Sequence, residues 1–141
     1  MADPLDPLTE RIISAAIDVS RTLGPGLLES AYQACLAYEF HSRRISFERQ
    51  RPIPVSYKGA VIDCAYRLDF LIEDQVVIEV KSVDSLTAVH TAQLLTYLRL
   101  CKRRVGLLMN FNVPILVRHG LKRLVNGYPL PAEPALGSRT E

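Results

Sequence analysis

An acidic and a basic residue stand in the middle of an apolar segment near the centre of the chain. Residues 76–83 read Val-Val-Ile-Glu-Val-Lys-Ser-Val, and this apolar run predicts a strand too hydrophobic to lie at the edge of a sheet. Glu79 and Lys81 are two positions apart, so their side chains leave the same face of that strand, about 6.6 to 6.8 Å apart. Burying both charges is costly, and a salt bridge between them offsets the cost only in part. A bound cation would offset it better.

The preceding segment brings a second acid to the same place. Residues 62–72 alternate between apolar and polar side chains, which predicts a strand with Asp69 on its polar face. The short turn that follows implies an antiparallel hairpin. If Ile72 pairs with Val76, Asp69 faces Glu79, with their Cβ atoms about 4.5 to 5.5 Å apart.

The predicted neighbours Asp69 and Glu79 suggest a metal site. Two adjacent carboxylates repel each other unless one is protonated or a divalent cation lies between them. With the backbone carbonyl of Val80 and water they form a candidate magnesium site, because Mg²⁺ takes a few hard oxygen ligands and retains water. The alternative is a structural cluster in which Asp69 and Glu79 pair with Lys81 and Arg67. The spacing alone leaves both interpretations open.

Polar residues also lie on the inward stripes of two predicted helices. Glu29 shares its stripe with Tyr32, and its place in the first turn lets the helix dipole stabilise its charge. His90, Gln93 and Tyr97 follow helical spacing on the helix after the buried strand. The alternatives are dipole pairing alone for Glu29 and ordinary buried hydrogen bonding for each of the other three.

The order of the predicted elements defines the fold class. Periodicity and turn residues predict three helices, over 6–23, 27–42 and 86–101. They also predict five strands, over 45–57, 62–72, 76–83, 105–111 and 115–119. The stretch from there through residue 125 is either strand or helix. Asp6 and the pair Asp84-Ser85 are the predicted N-caps, and Pro52 and Pro54 favour a sheet edge for the first strand. The prediction is an α/β fold with two N-terminal helices, a three-strand antiparallel meander, a crossover helix and one or two further strands in a mixed sheet.

Length and composition set limits on such a chain. Its 141 residues are enough for one domain, which we place at residues 1–126, followed by a loose tail over 127–141. No apolar run approaches the roughly 18 residues that suggest a membrane span, and the acidic N-terminus lacks the features of a signal peptide. We therefore expect a cytoplasmic protein with no membrane partner. The three widely spaced cysteines are expected to be buried structural thiols.

The net charge is +2, but the charged side chains are unevenly distributed along the chain. Residues 1–42 carry six acidic and two basic side chains, whereas residues 43–123 carry seven acidic and fourteen basic ones. A segment this basic could attract phosphate. The alternative is that its charges are solvated strand edges and helix ends.

The same residues resemble a known family. Segment 26–32, Gly-Leu-Leu-Glu-Ser-Ala-Tyr, is similar to the signature of the GxxExxY proteins, a bacterial group within the PD-(D/E)XK nuclease superfamily. The resemblance continues through segments 66–69, 79–81, 93–97 and 104–108, and it includes His90. It covers roughly residues 9–126; each element is weak alone, but their order and spacing together are specific. Leu68 replaces the proline that gave the superfamily its name, and that proline is not a metal ligand.

The resemblance implies a restriction-endonuclease-like core and a role for each candidate residue. Asp69 and Glu79 would bind the metal, and Lys81 would orient or activate the attacking water. Glu29 matches a helical acid that holds the metal or its water in many members. Gln93 and Tyr97 resemble an element that lies near the nucleic-acid backbone. Three further candidates would support the site: Tyr32, Arg67 and His90.

The activity implied by the resemblance is metal-dependent hydrolysis of phosphodiester bonds. Mg²⁺ is the expected cofactor, Mn²⁺ its substitute, and DNA rather than RNA the expected partner. Two alternatives stay open: a nuclease-like module that holds nucleic acid or a protein partner without cutting, and an RNA-directed enzyme. A small single domain often meets a duplex as a dimer, which makes a homodimer a further option.

Overall fold

The computed structural model describes residues 3–127, with helices on both faces of a five-stranded sheet. In chain order the elements are α1 (Asp6–Leu23), α2 (Glu29–Ser42), β1 (Phe47–Pro52), β2 (Val55–Tyr57), β3 (Ala60–Ile62), β4 (Arg67–Ile72), β5 (Val76–Lys81), α3 (Ala88–Cys101), β6 (Val105–Asn110), a π-helical turn (Leu116–Gly120) and β7 (Leu121–Val125). The predicted loose tail, residues 127–141, lies outside the described residues apart from Gly127.

The sheet has the strand order β1-β4-β5-β6-β7. β1, β4 and β5 are successively antiparallel and form the predicted meander. α3 then crosses over to β6, which runs parallel to β5, and β7 returns antiparallel beside β6. The predicted mixed sheet is confirmed, and two strands follow the crossover helix.

The sheet is covered on both faces by separate hydrophobic cores. On one face, α1 and α2 pack against the sheet, with Tyr32 and Phe40 in the same core as Ile78 of β5. On the other face, Leu94 of α3 shares a core with Val77. Because β5 and β6 contribute to both cores, their apolar residues occur on both parities, and all six residues of β6 are buried.

The predicted strands over 45–57 and 62–72 are each interrupted. β1 lies at the sheet edge, as its prolines indicate, but it ends at Pro52, and β4 begins only at Arg67. Between them β2 and β3 pair with each other in a separate ribbon, with Val55 opposite Ile62. The break has a local cause, because the prolines remove ladder donors and Ala65 turns the chain with a φ of 61°.

The helices begin one or two residues away from the predicted positions. Asp6 is the first helical residue of α1 rather than its N-cap, and the Asp3 carboxylate accepts the Leu5 N–H at 2.8 Å just before it. α2 begins at residue 29 instead of 27. α3 is capped by Thr87 instead of the pair at 84–85, because Thr87 and His90 form a capping box that satisfies two N–H groups at once.

The predicted strand over 115–119 is a π-helical turn instead. Leu121 at the start of β7 pairs with Met109 near the end of β6, so the residues between them must reverse the chain direction. Gly120 makes this reversal possible, because a Cβ there would lie 2.1 Å from the Asn110 carbonyl oxygen. The stretch through residue 125, left as strand or helix by its pattern, is a strand.

Two expectations drawn from composition, on membrane spans and on cysteine burial, can be compared with the structure. Within residues 3–127 no helix is long and apolar enough to cross a membrane. Cys35 and Cys101 are partly buried free thiols, whereas Cys64 is exposed, so the expectation of burial is wrong for Cys64. Cys64 follows the β2–β3 ribbon and lies outside both hydrophobic cores.

Candidate active site

The hairpin of β4 and β5 has the register that the sequence predicts. Ile72 pairs with Val76, and Phe70 pairs with Ile78. The backbone pairing of the two strands ends at Phe70 and Ile78, one residue short of the two acids. The strands therefore separate where the candidate metal ligands begin.

Asp69 and Glu79 replace the missing backbone pairs with their carboxylates. Glu79 Oε2 accepts the Asp69 N–H at 3.0 Å, and Asp69 Oδ2 accepts the Val80 N–H at 2.8 Å. Each acid is thus fixed by one oxygen to the strand of the other. These two hydrogen bonds hold both side chains in defined positions.

Burial makes both carboxylates hard to ionise. Glu79 is only 4% exposed, and burial together with the charge of Asp69 raises its pKa to about 8. Burial also raises the pKa of Asp69; the Val80 N–H opposes the rise, and the charge of Glu29 adds to it. Without a cation the site therefore disfavours two ionised carboxylates, and a bound cation would stabilise them in the charged form.

Lys81 leaves the sheet towards α3 and binds that helix. Its Nζ donates to Gln93 Oε1 at 2.9 Å, and Gln93 Nε2 donates to the Tyr97 hydroxyl at 3.2 Å. Of the predicted polar stripe, Gln93 and Tyr97 therefore face the sheet, whereas His90 does not belong to this contact. The Lys81 charge also acts to lower the pKa values of Asp69 and Glu79.

Tyr97 closes one side of this group of residues. It is 8% exposed, and burial raises the pKa of its hydroxyl. Its ring centroid lies 5.9 Å from that of Tyr66, which is 45% exposed. The two rings link the buried end of the site to the protein surface.

Glu29 approaches the same acids from α2. It is the first residue of that helix and is half-buried. Its charge raises the pKa values of both Asp69 and Glu79, so the three carboxylates are electrostatic neighbours. Asp69, Glu79 and Lys81 thus lie on one hairpin, whereas Glu29 acts on the two acids only through its charge, and its catalytic role stays a prediction.

Tyr32 supports the loop that precedes Glu29. The tyrosine is fully buried, and its hydroxyl donates to the Gly24 carbonyl at 2.6 Å and accepts the Leu27 N–H at 3.2 Å. Ser82, just after β5, holds the same loop by donating to the Leu27 carbonyl at 2.6 Å. The tyrosine of segment 26–32 therefore fixes the backbone from which Glu29 begins its helix.

Arg67 and His90, the other predicted supports, make local contacts. Arg67 is exposed at the start of β4 and donates to the Tyr66 carbonyl at 3.0 Å. His90 Nδ1 accepts the Thr87 N–H at 3.0 Å in the capping box of α3. His90 thereby fixes the start of the helix that carries Gln93 one turn later.

Two glutamines near the site, Gln33 and Gln50, were not predicted from the sequence. Gln33 follows Glu29 by one helical turn and is 9% exposed, and its Oε1 accepts a hydrogen bond of 3.0 Å from Gln50 Nε2. Gln50 also lies opposite Asp69 in the β1–β4 register, and its amide acts to lower the pKa of that acid. The spacing from Glu29 could have identified Gln33. No sequence pattern marks Gln50, because its contacts depend on how β1 pairs with β4.

The donor set suits a hard divalent cation. Asp69 and Glu79 each have a second oxygen besides the one bound to a backbone N–H, and the Val80 carbonyl lies beyond the β4–β5 pairs. Mg²⁺ is commonly bound by one or two carboxylates and keeps several waters. Among residues 3–127 no three or more His, Cys, Asp or Glu side chains are grouped to hold a metal ion, so Glu29 does not complete a three-carboxylate ligand set.

A mixed sheet that ends in two acids and a lysine, with helices on both faces, is the architecture of a restriction-endonuclease-like domain. A family model described as the PD-(D/E)XK nuclease superfamily matches residues 6–124. The chain belongs to this superfamily, and the matched range includes every candidate site residue from Glu29 to Tyr97. No curated protein and no solved structure matches the chain. The resemblance seen in the sequence is confirmed for the superfamily, and the narrower GxxExxY group stays a prediction.

Proposed function

We propose that this protein is a metal-dependent nuclease that hydrolyses phosphodiester bonds in DNA. The proposal is carried by Asp69 and Glu79, which lie side by side, with one oxygen of each bound to a backbone N–H of the opposite strand. Membership of the PD-(D/E)XK nuclease superfamily supports phosphodiester chemistry for such a pair.

Asp69, Glu79 and the Val80 carbonyl would hold Mg²⁺, with Mn²⁺ as a substitute. Bound there, the cation supplies a Lewis acid for a phosphoryl oxygen and lowers the pKa of a water molecule. The hydrogen bonds at 3.0 and 2.8 Å hold the carboxylates in place beforehand, so little rearrangement is needed when the substrate binds.

Lys81 and Glu29 are placed to act on the attacking water and the phosphate. An ammonium group has three N–H donors, and Lys81 gives one of them to Gln93. The others can orient the water and stabilise negative charge that develops on the phosphate. Glu29, held half-buried at the start of α2, would bind a water of the site and accept its proton.

The charge distribution supports nucleic acid as the substrate. Residues 43–123 carry fourteen basic side chains against seven acidic ones. Two of the basic residues, Lys58 at the turn between β2 and β3 and Arg67 at the start of β4, are exposed close in sequence to Asp69. Exposed cations on the same segment of the chain favour binding of a phosphate backbone.

Cleavage assays on the purified protein test this proposal. The wild-type protein should cut DNA with Mg²⁺ or Mn²⁺ and lose this activity in a chelator. Asp69→Asn and Lys81→Met should each lower the cleavage rate on the order of a hundredfold or more. Asp84→Asn changes an exposed acid just beyond β5 and is the matched control, which should cleave like the wild type.

Two other results would overturn the proposal. Equal cleavage rates for Asp69→Asn and the wild type would show that the Asp69 carboxylate takes no part in the reaction. Nucleic-acid binding without cleavage, together with no Mn²⁺ binding in calorimetric titration, would instead favour the non-catalytic module. RNA of matched sequence in the same assay decides between the two nucleic acids.

A further inference from the structure

Gln50 has an unusual backbone conformation for a strand residue. Its φ is 53°, in the left-handed region that residues other than glycine rarely adopt. The other non-glycine residues with positive φ within residues 3–127 all lie in turns or loops between elements. Such conformations persist where the surroundings enforce them, and they concentrate at functional sites.

This conformation occurs on β1 at the level of Asp69. Arg49 and Arg51 pair with the two β4 residues that flank Asp69, so Gln50 lies opposite Asp69. Gln50 and Asp69 are not themselves a backbone pair, although the ladder continues on both sides of them. The strand is therefore distorted at the one position that adjoins a candidate metal ligand.

The Gln50 side chain connects two elements of the site. Its Nε2 donates to Gln33 Oε1 at 3.0 Å, and it lies opposite Asp69 in the register, where its amide acts to lower the pKa of that acid. A carboxamide has two N–H donors, so one group can serve both acceptors. Gln33 is almost completely buried on α2, one turn after Glu29, and Asp69 is on β4.

We propose that Gln50 is a positioning residue of the metal site: it ties α2 to β4 and thereby holds the Asp69 carboxylate in place relative to Glu29. The Val80 N–H binds Asp69 from β5, and Gln50 adds a second anchor from β1. With an anchor on each side, the carboxylate presents a constant orientation to a bound cation. The inference rests on the proposed function, because it assigns Gln50 to the same site.

A replacement that keeps the shape of Gln50 isolates its hydrogen bonds. Gln50→Met is neutral, unbranched and similar in length, so it removes the donors without adding charge or branching. Gln75→Met makes the same replacement at an exposed glutamine in the β4–β5 turn, at the opposite end of both strands, and serves as the control. Gln50→Gly removes the side chain and relieves the positive φ, so it should unfold at or above the wild-type temperature.

Calorimetric titration with Mn²⁺ measures the effect independently of cleavage. Removing a group that orients a metal ligand typically weakens affinity about 10- to 100-fold. We expect about a tenfold weaker affinity for Gln50→Met and Gln50→Gly and no change for Gln75→Met. Gln33→Met should weaken binding in the same direction, and the double variant with Gln50→Met should be little worse than the stronger single variant, because the two residues act through one contact. In cleavage assays, kcat should fall while KM for DNA stays constant.

The outcomes separate this inference from the proposed function. A wild-type protein that binds no Mn²⁺ and cuts no DNA would overturn both. A wild-type protein that binds Mn²⁺, with the same affinity and kcat in Gln50→Met and Gln50→Gly, would overturn the role of Gln50 alone. Loss of Mn²⁺ affinity in Gln50→Gly without loss of thermal stability is the result that a merely structural role would not produce.

Discussion

Lys81 Nζ lies 2.9 Å from Gln93 Oε1, so the basic residue of the buried strand is tied to the crossover helix. Gln93 in turn donates to Tyr97, one turn further along α3. A lysine side chain is long and flexible, and these contacts restrict its motion. The ammonium group is thereby positioned before any substrate binds.

Gln93→Leu should therefore lower kcat while the acids stay in place. Leucine is similar in size to glutamine but cannot accept the Lys81 bond, so the ammonium group would sample other positions. Misplacement of a catalytic group by about 1 Å can cost on the order of a hundredfold, and we expect a ten- to hundredfold loss. Single-turnover cleavage measures this. Tyr97→Phe keeps Gln93 and should lose much less; an equal loss in both variants would argue against a specific role for the Lys81–Gln93 bond.

Glu79→Gln should stabilise the metal-free protein at alkaline pH. The pKa of Glu79 rises from its ordinary value of 4.5 to about 8 on folding. A raised pKa contributes stability that is fully present below pH 4.5 and is lost as the pH rises through about 8. Glutamine is neutral throughout and still accepts a hydrogen bond, so the variant should be more stable than the wild type at pH 8 by on the order of 3 kcal/mol.

Urea unfolding at pH 5 and pH 8 in a chelator checks this expectation. The gap between the two proteins should widen with pH, and parallel pH profiles would contradict it. Added Mn²⁺ at pH 8 should raise the free energy of unfolding of the wild type more than that of Glu79→Gln, since the variant lacks one ligand.

Tyr32→Phe should loosen the loop that leads to Glu29. The buried hydroxyl bonds the Gly24 carbonyl and the Leu27 N–H, and its loss leaves both without that partner. We expect a loss of about 1 to 2 kcal/mol in the free energy of unfolding, together with a lower kcat because Glu29 is less well fixed. Tyr38→Phe on the same helix is the control, since Tyr38 is 72% exposed. Equal effects of the two variants would contradict the role assigned to Tyr32.

Asp3→Asn should destabilise the fold at neutral pH. Arg104 binds the Asp3 carboxylate through two hydrogen bonds of 2.8 and 2.6 Å, and these hold the pKa of Asp3 well below its ordinary value. A lowered pKa contributes stability above its ordinary value of 3.8 that is lost as the pH falls towards the folded-state pKa. We expect a loss of about 1 to 3 kcal/mol in the variant at pH 7.

Denaturant unfolding across pH tests the Asp3 pair. The difference between Asp3→Asn and the wild type should shrink in acid, because the wild-type carboxylate then also loses its charge. Asp74→Asn is the comparison: the Asp74 side chain is 74% exposed although Arg103 binds it, and its replacement should change stability little. A larger loss for Asp74→Asn than for Asp3→Asn would contradict the argument.

The centre of the site could be predicted from the sequence because it depends on short-range geometry. Asp69 and Glu79 belong to one hairpin, and alternation plus a short turn is enough to predict their register. Helical spacing likewise predicts that Gln93 and Tyr97 share a face. The interrupted strands were harder to predict, since alternation continues through β2 and β3 although they leave the main sheet.

The sequence by itself thus determined the α/β class, the order of the main elements and the placement of an acid pair and a lysine on one buried hairpin. Only the tertiary structure decided that Gln50 binds Gln33 and lies opposite Asp69, and that Tyr32 and Ser82 hold the loop before Glu29. The physical reason is that alternation and turn length act between residues close in the chain. Contacts between α2, β1 and β4 arise only when separate elements pack together, and no local pattern encodes which side chains then meet.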